Sequence, residues 1–234
     1  MTPKTIHYCW FGRNPLPKSA IKCIDSWRFF FPDYEIKEWN EDNFDVNRIP
    51  YTKDAYEAKK YAFVSDYARF WILFHYGGVY FDTDVEVVKR MDDLIENGAF
   101  MGWETASNTG EHMIAPGLGL AAPKEFPLYK EILEGFEKLH FYDADGNMNR
   151  YTMIPMVTDI LKRHGLVKNG RTQTIANTTI FASDYFCPMD TLTGRISFTE
   201  NTRSIHWYSM SWLNKRQQWK LKVGRLLRKY IIRK

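Results

Sequence analysis

The apolar positions of this chain fall into short alternating or continuous runs separated by amphipathic stretches. KTIHYCW (Lys4–Trp10) alternates and is rich in β-formers, so it predicts a first strand that ends at Phe11-Gly12. Pro15 and Pro17 mark a loop. Lys18–Phe30 then predicts a helix, with Ile21, Ile24, Trp27 and Phe30 on or near one face. After the Pro32-Asp33 turn, Tyr34–Trp39 alternates as a second strand. This β-α-β opening predicts an α/β fold with a nucleotide-type site at the strand ends. Asp54–Tyr76 reads as one long helix, stopped by Gly77-Gly78 and followed by a short strand at Val79–Phe81.

Farther along, strands are expected at Phe100–Trp103 and Gly117–Ala122, with ETASNTGEHMIAP between them as a mobile loop. Helices are expected at Glu125–Leu139 and Thr152–His164, joined by a loop at FYDADGNMNR. Short strands are expected at Thr172–Ile175 and Thr179–Phe181, and a last one at Ser204–Trp207. The chain shows no internal repeat and no low-complexity linker.

Composition adds limits rather than detail. The 234 residues suffice for one sizeable core, and 44% hydrophobic with 16% aromatic content suits a packed globular domain. The opening MTPKTIHYCWFG has no long apolar segment of the secretory kind, and no run is long and apolar enough for a membrane span. Cys9, Cys23 and Cys187 form neither a disulfide framework nor a zinc pattern, which points to a reducing, cytoplasmic setting. The net charge of +4 hides an asymmetry: Lys215–Lys234 holds nine Lys/Arg and no acid, leaving 23 basic against 28 acidic side chains in the other 214 residues. The expected organisation is a domain over 1–212 and a basic tail over 213–234. Trp212, Trp219, Val223, Leu226, Leu227 and Tyr230 give that tail an apolar stripe opposite Lys222, Arg225, Lys229 and Arg233. A basic amphipathic helix of this kind predicts docking on an anionic membrane surface, at the inner face of the plasma membrane, rather than on nucleic acid.

The chemistry concentrates in GGVYFDTDVEV (Gly77–Val87). If the strand runs on through Asp82, then Asp82, Asp84 and Glu86 share one face. Three carboxylates on one dry face repel one another, a cost that a hard divalent cation removes; Mg²⁺ or Mn²⁺ is typically held by one or two carboxylates together with substrate phosphates. In the preceding apolar stretch, Asp66 and Arg69 are an i,i+3 pair that must be satisfied internally if buried.

The string Ser65, Asp66, Arg69, Gly77, Gly78, Tyr80, Asp82, Asp84, within SDYARFWILFHYGGVYFDTDVEV, resembles the signature of glycosyltransferase family 32, which includes α-1,6-mannosyltransferases and capsular polysaccharide synthesis proteins. The likeness is strong over residues 4–104. It implies a GT-A fold, a single Rossmann-like domain that binds a nucleotide-sugar. It also implies a metal, Mn²⁺ or Mg²⁺, and the donor diphosphate at Asp82 and Asp84, with Asp66 and Arg69 on the donor sugar and its phosphate side. Tyr8, Trp10 and Phe11 would lie near the nucleobase, His206 would be a third metal ligand, and Ser211 with Trp212 would close over the diphosphate. The pattern stops at Asp84, so Glu86 drops out of the expected metal set. Ile154 stands where the family's Thr-Gly-Pro helix start has glycine. No nucleophile stands out, and retention of anomeric configuration is implied only by the kinship. Glu104, at the end of a strand, is a candidate acceptor-side acid. The expected activity is hexosyl transfer from a nucleotide-sugar, UDP-linked by preference, to a glycan or lipid-linked acceptor of surface polysaccharide synthesis. Two other readings remain: a haloacid-dehalogenase-like phosphatase, whose nucleophile loop also carries Asp-x-Asp, and a non-enzymatic membrane-surface interaction protein.

Overall fold

The computed structural model describes residues 1–105 and 109–209, with 216 and 220 beyond them. Ser211, Trp212 and the basic tail therefore lie outside the described residues, apart from Arg216 and Lys220 of the tail.

The expected α/β opening is present as β1 (Thr5–Cys9), α1 (Lys18–Phe30) and β2 (Glu35–Trp39), with β1 and β2 parallel. α1 turns a somewhat different face to the core than its apolar spacing suggests: Ala20, Cys23, Ile24 and Trp27 are buried, while Ile21 is exposed. Small residues at 20 and 23 let the helix lie close to the sheet, and Trp27 anchors it by donating from Nε1 to the Val85 carbonyl at 2.8 Å.

The single long helix expected over 54–76 is two helices, α2 (Pro50–Glu57) and α3 (Tyr61–Tyr76). Lys59 adopts φ 58°, its N–H bonds the Tyr56 carbonyl, and the Lys60 N–H bonds the Ala55 carbonyl. This pair of bonds closes a helix C-terminus around a left-handed residue. That residue is usually glycine; with lysine there, the sequence carries no stop signal. α3 ends at Gly77 and Gly78, which take φ 66° and 104°. A Cβ on Gly78 would come within 2.6 Å of the Thr5 carbonyl oxygen, so glycine lets β3 (Gly78–Tyr80) pair closely with β1.

β4 (Val85–Val87) follows, then α4 (Asp92–Glu96), β5 (Ala99–Thr105), β6 (His112–Ile114) and β7 (Leu120–Ala122). The loop expected at 104–116 is thus in part a strand, β6, which pairs with β5 and is tied to the helical layer where the Ile114 N–H donates to Thr158 Oγ1. After β7 come α5 (Pro127–Glu137), α6 (Met153–Arg163), β8 (Gln173–Ile175), β9 (Thr178–Phe181), α7 (Ser183–Phe186) and β10 (Ser204–His206).

The main sheet runs β2-β1-β3-β7-β5-β9-β8, with β6 alongside β5. Taking the pairings together, β2, β1, β3, β5 and β9 point one way and β6, β7 and β8 the other. α2, α3, α5 and α6 cover one face through a core that includes Tyr67, Phe70, Trp103, Tyr129 and Phe136; α1 and α7 cover the other around Trp27, Phe81, Phe100 and Phe186. β4 leaves this sheet to pair with β10 in a separate antiparallel ribbon. Among the described residues, no helix is long and apolar enough to cross a membrane.

His7 joins β1, β2 and the end of α3. It is 2% exposed, donates from Nε2 to the Gly77 carbonyl at 3.0 Å, and accepts from Trp39 Nε1 at Nδ1, 3.1 Å away. Burial pushes its pKa down from 6.5 to about 4, so it is neutral in the folded protein. The unfolded chain takes up a proton first as pH falls, and stability present above pH 6.5 is lost between there and about 4. The loss should be about 3 kcal/mol. Denaturant unfolding of His7→Gln is expected to show a correspondingly shallower decline between pH 7 and 4; the wild-type slope in the variant would refute the assignment.

Candidate active site

β3 ends at Tyr80 and does not run on through the two aspartates. Instead the chain turns, the Val85 N–H bonding the Asp82 carbonyl at 3.0 Å, before β4 begins. The alternation expected for Asp82, Asp84 and Glu86 is therefore replaced by a turn that brings Asp82 and Asp84 together. Glu86 sits on β4 and accepts from Lys22 Nζ and Trp207 Nε1, which removes it from the pair.

Arg69 binds the two motifs into one unit. Its side chain is 3% exposed; Nη2 reaches Asp66 Oδ1 at 3.0 Å and Asp82 Oδ1 at 3.1 Å, and Nε donates to the Ser65 carbonyl at 3.1 Å. Tyr80 lies beneath the guanidinium, 5.1 Å from ring centroid to Cζ, and donates its hydroxyl to Asp82 Oδ1 at 3.0 Å. Burial raises the Asp66 pKa to about 6 against the opposing charge of Arg69, and burial likewise raises Asp82. Two carboxylates on one buried cation leave negative charge over.

Asp84 is held from the other side. His206 Nε2 lies 3.0 Å from Asp84 Oδ1, and the Ser209 N–H donates to Oδ2 at 2.8 Å. Burial works against its ionisation, but the charge of His206 and the bonds from His206 and Ser209 outweigh it and hold the carboxyl well below its usual range. His206 is held above its ordinary value because the charge and hydrogen bond of Asp84 overcome burial.

One donor atom from each of Asp82, Asp84 and His206 lies within 4.8 Å of the others. His206 Nδ1 is buried without a hydrogen-bond partner. A Cβ on Gly117 would stand 2.2 Å from Asp82 Oδ2, so that glycine keeps the space the carboxylate occupies. Two carboxylates and an imidazole around one point fit a divalent cation of the Mn²⁺ type, with Mg²⁺ less suited to the nitrogen.

β1 ends at Cys9, before Trp10 and Phe11, and the three aromatics of the opening segment do not form one wall. Tyr8 is buried against Trp27 and donates to Glu38; Phe11 is 4% exposed and packs on Phe44. Trp10 is partly exposed, its indole N–H on the Asn14 carbonyl. Ser211 and Trp212 lie outside the described residues. Gly117, Tyr208 and the Ser209 N–H, which shape the site, carried no signal in the sequence: one acts by lacking a side chain, and the last is a backbone group.

Comparison with known proteins follows the same lines. Residues 17–101 match the glycosyltransferase sugar-binding region containing DXD motif. The kinship read from Ser65 to Asp84 therefore stands. The chain is 32% identical over 109 residues to mannosyl phosphorylinositol ceramide synthase CSH1 of Saccharomyces cerevisiae, covering 43% of this chain and 28% of that one. It is 27% identical over 166 residues to the SUR1 synthase of the same organism, covering 68% of this chain and 38% of the relative. Inositol phosphoceramide mannosyltransferase 3 of Schizosaccharomyces pombe is 31% identical, covering 42% and 29%. The chain thus spans well under half the length of these curated relatives. Among solved structures, the PaToxG glycosyltransferase aligns over 69% of each chain at TM-score 0.53 and 17% identity. The galactosyltransferase LgtC aligns over 94% of this chain and 93% of its own at TM-score 0.50 and 12% identity. The fold is GT-A, as expected.

Proposed function

We propose that the protein is a divalent-metal-dependent hexosyltransferase that moves a sugar from a nucleotide-sugar to a lipid-linked or glycan acceptor. The observation that carries this reading is the convergence of Asp82, Asp84 and His206, from segments more than a hundred residues apart, within a chain that matches the DXD sugar-binding family. Asp82, Asp84 and His206 would hold Mn²⁺ or Mg²⁺, which when bound offsets charge on the departing nucleoside diphosphate. Arg69 and Tyr80 fix the Asp82 carboxylate, and Ser209 with His206 fixes that of Asp84, so neither has to be ordered when substrate arrives. Asp66, its side chain 16% exposed beside Arg69, would accept a hydroxyl of the donor sugar. Of Tyr8, Trp10 and Phe11, Trp10 is the one with surface to offer a base. Anomeric retention is carried from the family resemblance.

The relatives are named for mannosyl transfer to inositol phosphoceramide, which favours mannose and a lipid acceptor here; the capsular setting gains no support from them. A phosphatase would need Asp82 as a free nucleophile, whereas its Oδ1 already accepts from Arg69 and Tyr80. The melting temperature is expected to rise when Mn²⁺ and a UDP- or GDP-hexose are added together, and to return when EDTA is added. If no nucleotide-sugar shifts it, the transferase reading fails. We place the protein peripherally on an anionic cytoplasmic membrane face through residues 215–234. Flotation with anionic vesicles should be lost on truncation before Lys215, and a truncated chain that still floats would refute that anchor.

A further inference from the structure

The stretch 204–209 leaves β10 at His206 and bends back over the Asp82–Asp84 turn. Three of its groups land on Asp84. His206 Nε2 lies 3.0 Å from Oδ1, the Ser209 N–H donates to Oδ2 at 2.8 Å, and the Trp207 N–H donates to the Asp84 backbone carbonyl at 2.9 Å. Tyr208 stands in the middle of these contacts, and its backbone makes the bend. Its φ is 47°, in the left-handed region that side-chain-bearing residues enter at a cost of about 1 kcal/mol or more. Such a conformation persists only where the surroundings determine it.

The surroundings here are specific. The Tyr208 ring stands edge-on to His206, with centroids 4.2 Å apart and an interplanar angle of 67°. Its hydroxyl bonds Cys187 Sγ at 2.8 Å. Cys187 directly follows α7. The hydroxyl is therefore moored to a segment that carries none of the three cation-holding side chains, while the ring and backbone bear on one that does. A side chain that only filled space would not need its oxygen; this one has a partner for it.

We propose that Tyr208 is a positioning residue: its hydroxyl, moored to Cys187, holds the 206–209 bend that brings the His206 imidazole and the Ser209 N–H onto Asp84. The bend is held in the metal-free protein; its consequence for cation affinity rests on the reading of Asp82, Asp84 and His206 as a metal site.

Tyr208→Phe keeps the ring and removes the mooring. In metal-free protein, amide hydrogen exchange at Trp207 and Ser209 is expected to speed up about tenfold or more, with the global unfolding midpoint little changed. Mn²⁺ affinity, measured by titration calorimetry, is expected to fall 10- to 100-fold, the usual effect of losing a group that orients a ligand. Cys187→Ser, which returns an oxygen partner to the hydroxyl, should stay near wild type in both readouts, whereas Cys187→Ala should move toward Tyr208→Phe. Unchanged exchange in Tyr208→Phe overturns the proposal. Faster exchange in the variant, with wild-type protein that binds no Mn²⁺, supports the positioning role and overturns the metal reading instead.

Discussion

Asp84→Asn is expected to lower turnover by on the order of a thousand-fold at saturating nucleotide-sugar and Mn²⁺. The asparagine side chain retains an oxygen for the Ser209 N–H, which now donates to Oδ2 at 2.8 Å, so the turn keeps its tether. What it removes is the negative charge. In the native protein that charge is secured despite burial, because His206 and the hydrogen bonds from His206 and Ser209 favour the ionised carboxylate. The amide is a poor ligand for a hard cation and leaves His206 without its ionic partner, so two of the three donors are compromised by one atom's change. Nucleoside diphosphate release, followed at saturating donor, checks the effect, with far-ultraviolet circular dichroism to confirm the fold. Glu86→Gln is the control: its carboxylate serves Lys22 and Trp207 and takes no part in the Asp82–Asp84–His206 set, and activity should stay within about twofold of wild type. Asp84→Asn turnover within tenfold of wild type would remove Asp84 from the chemistry.

Much of this site was legible in the sequence because its logic is local. The stretch from Ser65 to Asp84 holds a helix, a double-glycine stop and a short strand, and each announces itself by periodicity or by backbone-permissive residues. Their contiguity in sequence is what lets Arg69 reach both Asp66 and Asp82. The placement of Asp82 and Asp84 on a shared strand face was wrong because hydrophobic alternation continues across a turn: Phe81 and Val85 are both buried, yet belong to separate structures. The break between α2 and α3 was hidden for a related reason, a left-handed cap built on lysine. The opening aromatics illustrate a different limit. Tyr8 and Phe11 are as apolar as a base-stacking ring requires, and equally as apolar as a core requires; only the three-dimensional structure assigns them to the core. The half of the site supplied by residues 204–209 depends on pairing between β4 and β10, more than a hundred residues apart, which no local pattern encodes.

Arg69→Met is expected to cost about 3–5 kcal/mol of stability, the largest effect of any single change in the site. The guanidinium is almost fully buried and is the cation facing both Asp66 and Asp82. Methionine fills much of the same volume but leaves two carboxylates in a low-dielectric setting without a partner. The cost therefore resides in the aspartates, and pH exposes it. Burial already raises Asp66 to about 6, above its ordinary 3.8, with Arg69 pulling the other way; without Arg69 the value moves higher still. A carboxyl raised in the folded state stabilises folding below its unfolded pKa and loses that contribution as pH rises through the folded value. Relative to wild type, Arg69→Met should thus be most destabilised at neutral pH and recover on acidification toward pH 4. Adding Asp66→Asn should restore part of the lost stability at pH 7, because one unpaired charge disappears. Urea unfolding of the wild type, both single variants and the double variant at pH 7 and pH 4.5 gives the coupling directly. If the double variant at pH 7 is as unstable as the sum of the single changes, the buried charges are not coupled through Arg69, and the guanidinium acts by packing alone.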